Sequence, residues 1–437
     1  MPDYLIRLAQ AHETFRKPEL ESLAELLDIR LEFLEYSPDS PHCLVRLESL
    51  KDAEKLITRS ILTDSICELW GQGSDYASLH ADVKERTTHR WPDFLHASFR
   101  FSVFGYQGKR DTKSHSSIID SFSYMGFLGP IRMKNADHEF IVFEEYGIRE
   151  PEPKRIFLGR LVARGSRPVV SKYDLKKRSY ISTTSMDAEL ALITANIAKA
   201  SAGKLFYDPF MGTGGFPIAC AHFGAMCIGS DIDGRTVRAT PDRNPLTNFK
   251  QYGLMSYCLD NFVSDLTNSP LKCERWLDGI VCDPPYGVRE GLKVLGSRTG
   301  LHKLVIFEDG TPAHLAPGFI APKRPYSFDA MLDDILHFAA CMLVDNGRLS
   351  MWMPTATDED IALSIPQNEH LELLSSCIQT FNKWSRRLLT YRRLPGSVTG
   401  PVMPRPDKEY VNGSTADDLN NFRKMYFEGF RDKSSKG

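Results

Sequence analysis

Cysteine is scarce in this chain and follows no metal-binding or disulfide pattern. The sequence of 437 residues contains 9 cysteines, an odd number, and no two of them form a Cys-x-x-Cys pair. Disulfide scaffolds and structural zinc sites depend on closely and regularly spaced cysteines. We therefore expect neither of them, and we predict no metal ligands.

The chain also lacks a recognisable export or membrane segment. Charged residues occur throughout the first 16 positions, unlike the apolar stretch of a signal peptide. The longest stretch without Asp, Glu, Lys or Arg is Pro209–Ser230, which is long enough to span a bilayer but holds five glycines and two prolines. A buried βαβ unit explains that composition better. We expect a cytoplasmic or nuclear protein that does not contact membranes.

Neither sign of charge dominates, since 54 Lys and Arg residues face 56 Asp and Glu residues. This balance excludes a histone-like polycation. The charges are nevertheless uneven: residues 1–83 hold 8 basic and 16 acidic side chains, whereas residues 84–178 hold 19 and 11. Because clustered Lys and Arg follow a phosphate backbone, the second stretch is a candidate RNA-binding region.

Hydrophobic periodicity divides the chain into α/β regions. Residues 1–74 follow the order β-α-β-β-α-β, which is a ferredoxin-like arrangement. Residues 75–165 form a smaller α/β unit with a basic surface, and residues 166–180 a basic linker. Residues 181–395 alternate strands and helices as a doubly wound Rossmann-like sheet does, and residues 396–437 form a tail.

Three segments of the later regions depart from regular periodicity. Residues 290–327 are rich in Gly and Pro, which predicts a long loop. Two prolines within residues 234–250 break the helix expected after the second strand of the sheet. In the tail, the pattern predicts a helix over residues 415–430.

Basic residues are densest between Lys154 and Arg178, where nine of them accompany a single acid, Asp174. A solvated linker would explain this density, and a surface that contacts phosphates is the alternative. For that alternative, the candidate RNA-binding residues are Arg160, Arg164, Lys172, Lys176, Lys177 and Arg178.

A glycine-rich turn follows a predicted strand that ends at Asp208. Its sequence is Asp-Pro-Phe-Met-Gly-Thr-Gly-Gly. Glycines at 212, 214 and 215 let the backbone come close to a ligand at the carboxyl end of the strand. The turn of an NAD-binding domain looks similar, and so does a purely structural turn.

Acids also end the next two predicted strands. Asp231 follows Gly212 by 19 residues, where a carboxylate accepts hydrogen bonds from the hydroxyls of a ribose. Together with the glycine turn, this favours a cofactor that contains adenosine, as NAD and S-adenosylmethionine both do. Asp265 is placed to accept a hydrogen bond from an adenine amine, although a surface turn before Pro270 explains it equally well.

The fourth strand decides between the two cofactors. It leads into Asp283-Pro284-Pro285-Tyr286, a rigid tip that offers a carboxylate and a carbonyl oxygen but no proline N–H. Such acceptors suit the two hydrogens of an exocyclic amine on a nucleobase, whose nitrogen then attacks a sulfonium methyl. Tyr286 can stack on a base that has left its helix. We expect these four residues to be catalytic and S-adenosylmethionine to be the cofactor.

These motifs resemble those of class I amino-methyltransferases. More narrowly, Leu175-Lys-Lys-Arg-Ser-Tyr-Ile-Ser-Thr-Thr-Ser and Ser385-Arg-Arg-Leu-Leu-Thr are similar to segments of the eukaryotic tRNA guanosine-10 N2-methyltransferase family. The resemblance covers nearly the whole chain. It implies a ferredoxin-like domain, a THUMP tRNA-binding domain and a Rossmann-like class I methyltransferase domain. It also implies tRNA as substrate and a small zinc-binding activator subunit as partner in a heterodimer.

The resemblance further implies roles for single residues. The methionine end of the cofactor would meet the glycine turn, its carboxylate would meet Thr184 and Ser185, and Arg289 would contact a phosphate or the base. The cofactor-binding residues implied by the resemblance are Thr184, Ser185, Asp208, Phe210, Gly212, Gly214, Gly215 and Asp231, and Asp265 is added from its position at a strand end. A need for the activator is also suggested by two apolar runs, Phe338–Val344 and Leu371–Cys377, which one domain would not fully cover.

Two alternatives stay open from the residues alone. The same chemistry can act on another RNA guanine or on N6 of a DNA adenine, because the four-residue tip does not separate these amines. The other alternative is a nonenzymatic RNA-binding scaffold with a vestigial methyltransferase domain. Such a scaffold would be free to lose the glycines or Asp283, and this chain retains them.

Overall fold

The structure, a computed structural model, describes residues 2–288, 291–296, 306–316, 319, 321–355, 365–381, 384–404 and 418–428. The chain divides into two compact units, Met1–Val169 and Val170–Gly437. Each unit is built on one seven-stranded sheet.

The first unit follows the predicted order of elements. Its strands are β1 (Asp3–Leu8), β2 (Glu32–Glu35), β3 (His42–Arg46), β4 (Thr63–Gly73), β5 (Phe99–Tyr106), β6 (His138–Tyr146) and β7 (Pro153–Arg164). Its helices are α1 (Glu13–Leu26), α2 (Leu50–Arg59), α3 (Tyr76–Thr87) and α4 (Thr112–Asp120). The strands lie in the order β2-β3-β1-β4-β7-β6-β5, and only β5 and β6 pair in parallel.

Helix starts in this unit follow local capping chemistry. The Ser49 hydroxyl accepts a hydrogen bond from the Asp52 N–H at the start of α2, and Asp75 and Ser78 form a capping box at the start of α3. Both helices pack on the sheet, so their apolar faces join its core. Because β4 pairs with β7, one sheet runs through residues 1–74 and 75–165, and a domain boundary at residue 74 stays a prediction.

The second unit alternates strands and helices as expected. Its strands are β8 (Leu205–Asp208), β9 (Met226–Asp231), β10 (Cys258–Val263), β11 (Leu277–Cys282), β12 (Lys293–Leu295), β13 (Lys323–Pro325), β14 (Leu343–Thr355), β15 (Leu371–Thr380) and β16 (Ser385–Arg393). Its helices are α5 (Ala188–Ile197), α6 (Gly215–His222), α7 (Gly234–Arg238), α8 (Pro245–Tyr252), α9 (Phe328–Met342), α10 (Gly396–Thr399) and α11 (Asn421–Glu428).

The large sheet of this unit has the order β10-β9-β8-β11-β14-β16-β15. Strands β10, β9, β8, β11 and β14 are parallel to one another, and β16 is antiparallel to both of its neighbours, β14 and β15. Strands β8 and β11 are almost wholly buried, because helices cover both faces of a parallel sheet. The carboxyl ends of β8, β9, β10 and β11 therefore meet at one edge, where ligands of such sheets bind.

Three local predictions can be compared with this architecture. The prolines do break the helix after β9, since α7 ends at Arg238 and α8 starts afresh at Pro245 behind an Asn244 capping box. The segment 290–327 is not simply a loop, because β12 and β13 pair within it. The tail helix spans Asn421–Glu428, residues 418–420 before it are not helical, and residues 415–417 and 429–430 of the predicted helix lie outside the described part of the chain.

The sequence predicts that two apolar runs are not fully covered and that no segment crosses a membrane. The run Phe338–Val344 lies in α9 and the start of β14, and most of its side chains belong to the core. In contrast, Leu373 and Leu374 are exposed on β15, at the edge of the sheet. No helix in the described part of the chain is long and apolar enough to cross a membrane.

Candidate functional site

The glycine turn connects β8 to α6 at the carboxyl edge of the second sheet. Gly212 and Gly214 have φ angles of 48° and 86°, which residues other than glycine rarely adopt. A Cβ on Gly212 would meet no described atom within 4 Å, so there is open space in front of the turn. The Gly212 N–H donates to Asp231 Oδ2 at 3.0 Å, which ties the turn to the end of β9.

Asp208 lies beneath this turn as a buried carboxylate. Its side chain accepts the Phe210 N–H at 2.9 Å, and the residue is 1% exposed. Burial raises the pKa of Asp208 well above its usual value, and the nearby charges of Asp231 and Asp283 raise it further. The edge of the sheet therefore concentrates negative charge that a cation would relieve.

The structure brings Thr184 and Ser185 to the same turn. The Ser185 hydroxyl lies 2.9 Å from the Thr213 hydroxyl, while Thr184 is exposed next to it, with its hydroxyl 3.3 Å from that of Ser182. Residues that are about 30 positions apart along the chain thus meet at one place. Their predicted approach to a cofactor carboxylate is compatible with this position.

The two strand-end acids have different surroundings. Asp231 is partly exposed and binds the N–H groups of Gly212 and Asp233. Asp265 is buried, and its two oxygens accept the N–H groups of Thr267 and Leu295. These bonds anchor β12 and favour the turn role that the sequence left open for Asp265, so its contact with adenine stays a prediction.

The Asp283-Pro284-Pro285-Tyr286 tip follows β11 directly and lies one strand from the glycine turn. The Tyr286 hydroxyl donates to Asp283 Oδ1, and Arg386 Nη1 lies 3.9 Å from Oδ2. Burial raises the pKa of Asp283, and the charge of Arg386 and the bond from Tyr286 offset only part of that rise. Asp283 is therefore a proton acceptor of enhanced basicity at the end of a buried strand.

Two further residues lie at the tip and were not predicted as site residues: Arg386, which belongs to the motif Ser385-Arg-Arg-Leu-Leu-Thr, and Trp384, which precedes that motif. The Arg386 guanidinium is held by Gln379 Oε1 at 2.6 Å and lies 4.7 Å from the Trp352 ring centroid. Trp384 lies 6.1 Å from the ring of Tyr286 at an angle of 73°. The motif therefore supplies Arg386, the cation near Asp283. Trp384, the residue immediately before the motif, is a second aromatic ring beside the tip.

The tail also reaches the tip, which the sequence did not predict. Asn420 Nδ2 donates to the carbonyl oxygen of Tyr286 at 2.8 Å, and Arg423 Nη1 donates to that of Val288 at 3.1 Å. Gly287 has a φ of 77°, and a Cβ there would come within 2.5 Å of Asn420. The tail segment thus fixes the backbone that follows the Asp283–Tyr286 tip.

The predicted RNA-binding residues of the first unit are engaged with acids. Arg160 forms an ion pair with Glu68 at 3.0 Å and is largely buried against Phe94. Arg164 pairs with Glu139 at 3.0 Å but is half exposed. Because a paired and buried guanidinium cannot follow phosphates, the prediction for Arg160 needs correction, whereas that for Arg164 stays a prediction.

The predicted RNA-binding residues of the second unit divide in the same way. Lys172, Lys176 and Lys177 are exposed. Arg178, in contrast, is only 6% exposed and lies beside Gly215, so it does not belong to a phosphate-contacting surface. Arg289 lies outside the described residues.

Two family models match the chain, one in each unit. Residues 2–167 match the family model for the Tmrp11 THUMP N-terminal domain, and residues 176–298 match that for the RMKL-like methyltransferase domain. Among solved structures, TrmN from Thermus thermophilus covers 90% of this chain with all of its own length, at 15% identity and a TM-score of 0.44.

Full-length relatives give the sharper result. The tRNA (guanine(10)-N(2))-methyltransferase of Saccharomyces cerevisiae is 42% identical over 98% of this chain and 100% of its own length. Its human counterpart is 34% identical over 99% of this chain and 96% of its own length. The similarity confirms the family resemblance and the fold class expected from the sequence. The chain therefore belongs to the tRNA (guanine(10)-N(2))-methyltransferase family.

Proposed function

We propose that this protein transfers a methyl group from S-adenosylmethionine to the exocyclic N2 of guanosine 10 in tRNA. The observation that carries the proposal is the position of Asp283, a basic carboxylate beside two aromatic rings, one strand away from an open glycine turn. Family membership supplies tRNA and the position of the nucleotide. The geometry supplies the reason why an amine is the acceptor.

The residues at the glycine turn fit S-adenosylmethionine. The open space at Gly212 admits a ligand close to the backbone, and the carboxylates of Asp208 and Asp231 favour a positive charge nearby. When bound there, S-adenosylmethionine supplies a methyl group on a positively charged sulfur. An NAD-type cofactor carries a pyrophosphate, which this negative edge would repel.

The chain's own residues account for the activation of the amine. Asp283 accepts a hydrogen bond from N2 through an oxygen, and the tip backbone offers a carbonyl as a second acceptor. Tyr286 and Trp384 provide faces on which the guanine ring can stack. Once N2 carries the methyl group it must lose a proton, and the raised pKa of Asp283 suits it to take that proton.

The exposed cations are proposed to hold the tRNA. Lys172, Lys176 and Lys177 are exposed in the second unit, and Arg164 is half exposed in the first. Folded RNA is recognised largely through its backbone and shape, which needs exposed Lys and Arg. These four are the exposed members of the predicted set in the described part of the chain, and Arg289 lies outside that part.

We further propose that the chain acts in the cytoplasm as a heterodimer with a small zinc-binding activator subunit. Family resemblance motivates the partner, and the exposed side chains of Leu373, Leu374 and Ile378 on the edge strand β15 are consistent with a surface that a partner covers. Full turnover by a monodisperse chain without any partner would contradict this part of the proposal.

The direct test is to map the product. The protein, purified with and without the activator, is incubated with labelled S-adenosylmethionine and unmodified tRNA transcript, and the tRNA is digested and analysed by mass spectrometry. We expect N2-methylguanosine at position 10. Label in another nucleoside or at another position, or transfer to N6 of adenine in a DNA duplex, would contradict the proposal.

A further inference from the structure

Arg178 is a buried cation next to the glycine turn. Its Nη1 lies 3.6 Å from the position that a Cβ on Gly215 would occupy. Gly215 is the first residue of α6, so the guanidinium lies at the N-terminal end of that helix. The first N–H groups of a helix have no acceptors within the helix, and together with the helix dipole they attract anions.

The segment that carries Arg178 is held in place by α8. The Ser179 N–H donates to Gln251 Oε1 and the Tyr180 N–H donates to Asn248 Oδ1, both at 2.9 Å. Asn248 Nδ2 donates in turn to the carbonyl oxygen of Thr213 at 3.0 Å. Because Asn248 bridges the segment and the turn, Arg178 is held beside α6 rather than resting there by chance.

Two nitrogens of this guanidinium find no acceptor in the described part of the chain. Nε and Nη1 of Arg178 are buried and have no hydrogen-bond partner among the described residues. The acids of the turn accept N–H groups of the turn itself, Asp208 from Phe210 and Asp231 from Gly212. A buried charged donor without an acceptor is costly, so the arrangement calls for an anion from outside the chain.

We propose that Arg178 binds the α-carboxylate of S-adenosylmethionine and thereby positions the methionine end of the cofactor. The proposal rests on the function proposed above, which makes S-adenosylmethionine the cofactor. A guanidinium offers parallel N–H groups that match the two oxygens of a carboxylate. Ser185, whose hydroxyl contacts Thr213 at the same turn, is a second donor for that carboxylate.

An RNA phosphate is the other anion that this reaction brings to the protein. It fits less well, because a residue that is only 6% exposed offers almost no surface to a polymer backbone. Arg178 therefore changes from a predicted RNA contact to a positioning residue for the cofactor. The exposed neighbours Lys176 and Lys177 keep the RNA role.

The test uses a ligand that differs from the cofactor only in the missing carboxylate. Binding of S-adenosylmethionine and of decarboxylated S-adenosylmethionine is measured by calorimetry, without tRNA, on the complete protein with its activator. We expect Arg178→Ala to weaken binding of S-adenosylmethionine by about 10- to 100-fold, the loss typical of a charged hydrogen-bonded contact. Binding of the decarboxylated ligand should be equal in the wild type and the variant.

Matched variants separate a carboxylate contact from a structural role and from an RNA contact. Lys176→Ala and Lys177→Ala lie in the same segment and should bind both ligands as the wild type does, and Arg178→Lys should recover part of the discrimination because it keeps the charge. Equal weakening of both ligands by Arg178→Ala would overturn the proposal and leave a structural role. Unchanged binding of both ligands, with loss of tRNA affinity, would overturn it in favour of an RNA phosphate.

The wild type and Arg178→Lys provide a test that does not depend on Arg178→Ala. If Arg178→Ala does not fold, Arg178→Lys and the wild type still decide, because the wild type should prefer S-adenosylmethionine to its decarboxylated form and the lysine variant should show a smaller preference. Equal affinities of the wild type for the two ligands would overturn the role of Arg178. A wild type that binds neither ligand would instead contradict the proposed function.

Discussion

Two buried acids of the first unit and two of the second have pKa values shifted in opposite directions. In the first unit, burial raises the pKa of Glu145, but hydrogen bonds from His42, Lys154 and Ser40 outweigh that effect and lower it to about 2. The pKa of Glu68 is likewise lowered, since hydrogen bonds and ion pairs with Arg90 and Arg160 outweigh the effect of burial. In the second unit, burial prevails and raises the pKa values of Asp208 and Asp283.

The difference separates charge that holds a fold from charge that performs chemistry. Paired acids cross-link the strands of the first sheet: Glu145 pairs with Lys154 across β6 and β7, and Glu68 pairs with the largely buried Arg160 across β4 and β7. At the edge of the second sheet, the charges of Asp231 and Asp283 raise the pKa of Asp208 beyond the effect of burial, and Arg386 is a distant counter-ion to Asp283. That edge gains stability from a bound cation, as the sulfonium of the cofactor would provide.

The largest effect is expected at Asp283. Asp283→Ala should lower turnover by about 10²-fold or more, because it removes the group that accepts hydrogens from the amine. The affinities for tRNA and for S-adenosylmethionine should stay close to those of the wild type. Single-turnover kinetics and binding titrations measure the two quantities, with the exposed Asp242→Ala as control. A loss of affinity that accounts for the whole loss of rate would contradict a catalytic role.

Next in size is the effect of an ion pair in the first unit. Glu145 has its pKa lowered from 4.5, so it stabilises the folded state above about pH 4.5, and this contribution is lost as the pH falls towards 2. Glu145→Gln should reduce the local free energy of unfolding by about 2 kcal/mol at neutral pH, allowing for screening on the exposed side of Lys154. Hydrogen exchange of β6 and β7 amides checks this.

The deficit of Glu145→Gln should shrink as the pH falls from about 4.5 towards 2, because the unfolded wild type takes up a proton at Glu145 before the folded wild type does. Glu150→Gln, at an exposed position, is the matched control and should leave exchange rates unchanged. A deficit that is constant with pH would show that shape rather than charge makes Glu145 important.

A smaller effect is expected from the buried acid at the glycine turn. Asp208→Asn removes a carboxylate whose ionised form a nearby sulfonium would stabilise, so we expect affinity for S-adenosylmethionine to fall about tenfold. Affinity for S-adenosylhomocysteine, whose sulfur is uncharged, should change much less. Calorimetry on both ligands measures the difference, and equal losses would indicate a distorted turn instead of a lost charge.

The pH dependence follows from the raised pKa of Asp208. As the pH falls through that raised pKa, the carboxylate takes up a proton and loses its attraction for the sulfonium. Binding of S-adenosylmethionine by the wild type should therefore weaken on acidification, and more than binding of S-adenosylhomocysteine does. In Asp208→Asn, this difference between the two ligands should become smaller.

The smallest effects are expected for the exposed cations. Replacing Lys172, Lys176 and Lys177 with alanine should weaken tRNA binding several-fold and reduce its salt slope by about 2 to 3, since fewer counterions are released. Arg160→Ala should instead leave the salt slope unchanged, because that guanidinium is paired with Glu68. Filter binding over a range of salt concentrations distinguishes the two. An unchanged slope in the triple variant would assign these lysines to a solvated linker.

Local sequence was sufficient for much of the second sheet and for the position of the Asp283–Tyr286 tip at the end of β11. The glycines, the acids at strand ends and the two prolines after β11 each have a short-range physical reason, and the structure places them along one edge. The order of elements in the first unit was also predictable, because its alternation of apolar residues is regular. These features depend on residues that are neighbours along the chain.

Long-range contacts account for what sequence reasoning did not find. Arg386 meets Asp283 across more than 100 residues, and Asn420 meets Tyr286 across 134. A count of charges could not show that Arg160 is neutralised by Glu68 or that Arg178 is buried. Such pairings follow from strand order and packing, which no local pattern in this sequence encodes.

The central claim, that Asp283 holds the exocyclic amine of a guanine, is tested most directly with tRNA that carries inosine at position 10. Inosine keeps the shape of guanosine but lacks the N2 amine, so the substituted tRNA should bind nearly as well as the normal transcript and accept no methyl group at that nucleotide. Methyl incorporation into the inosine itself would show that another atom is the nucleophile and would contradict the account.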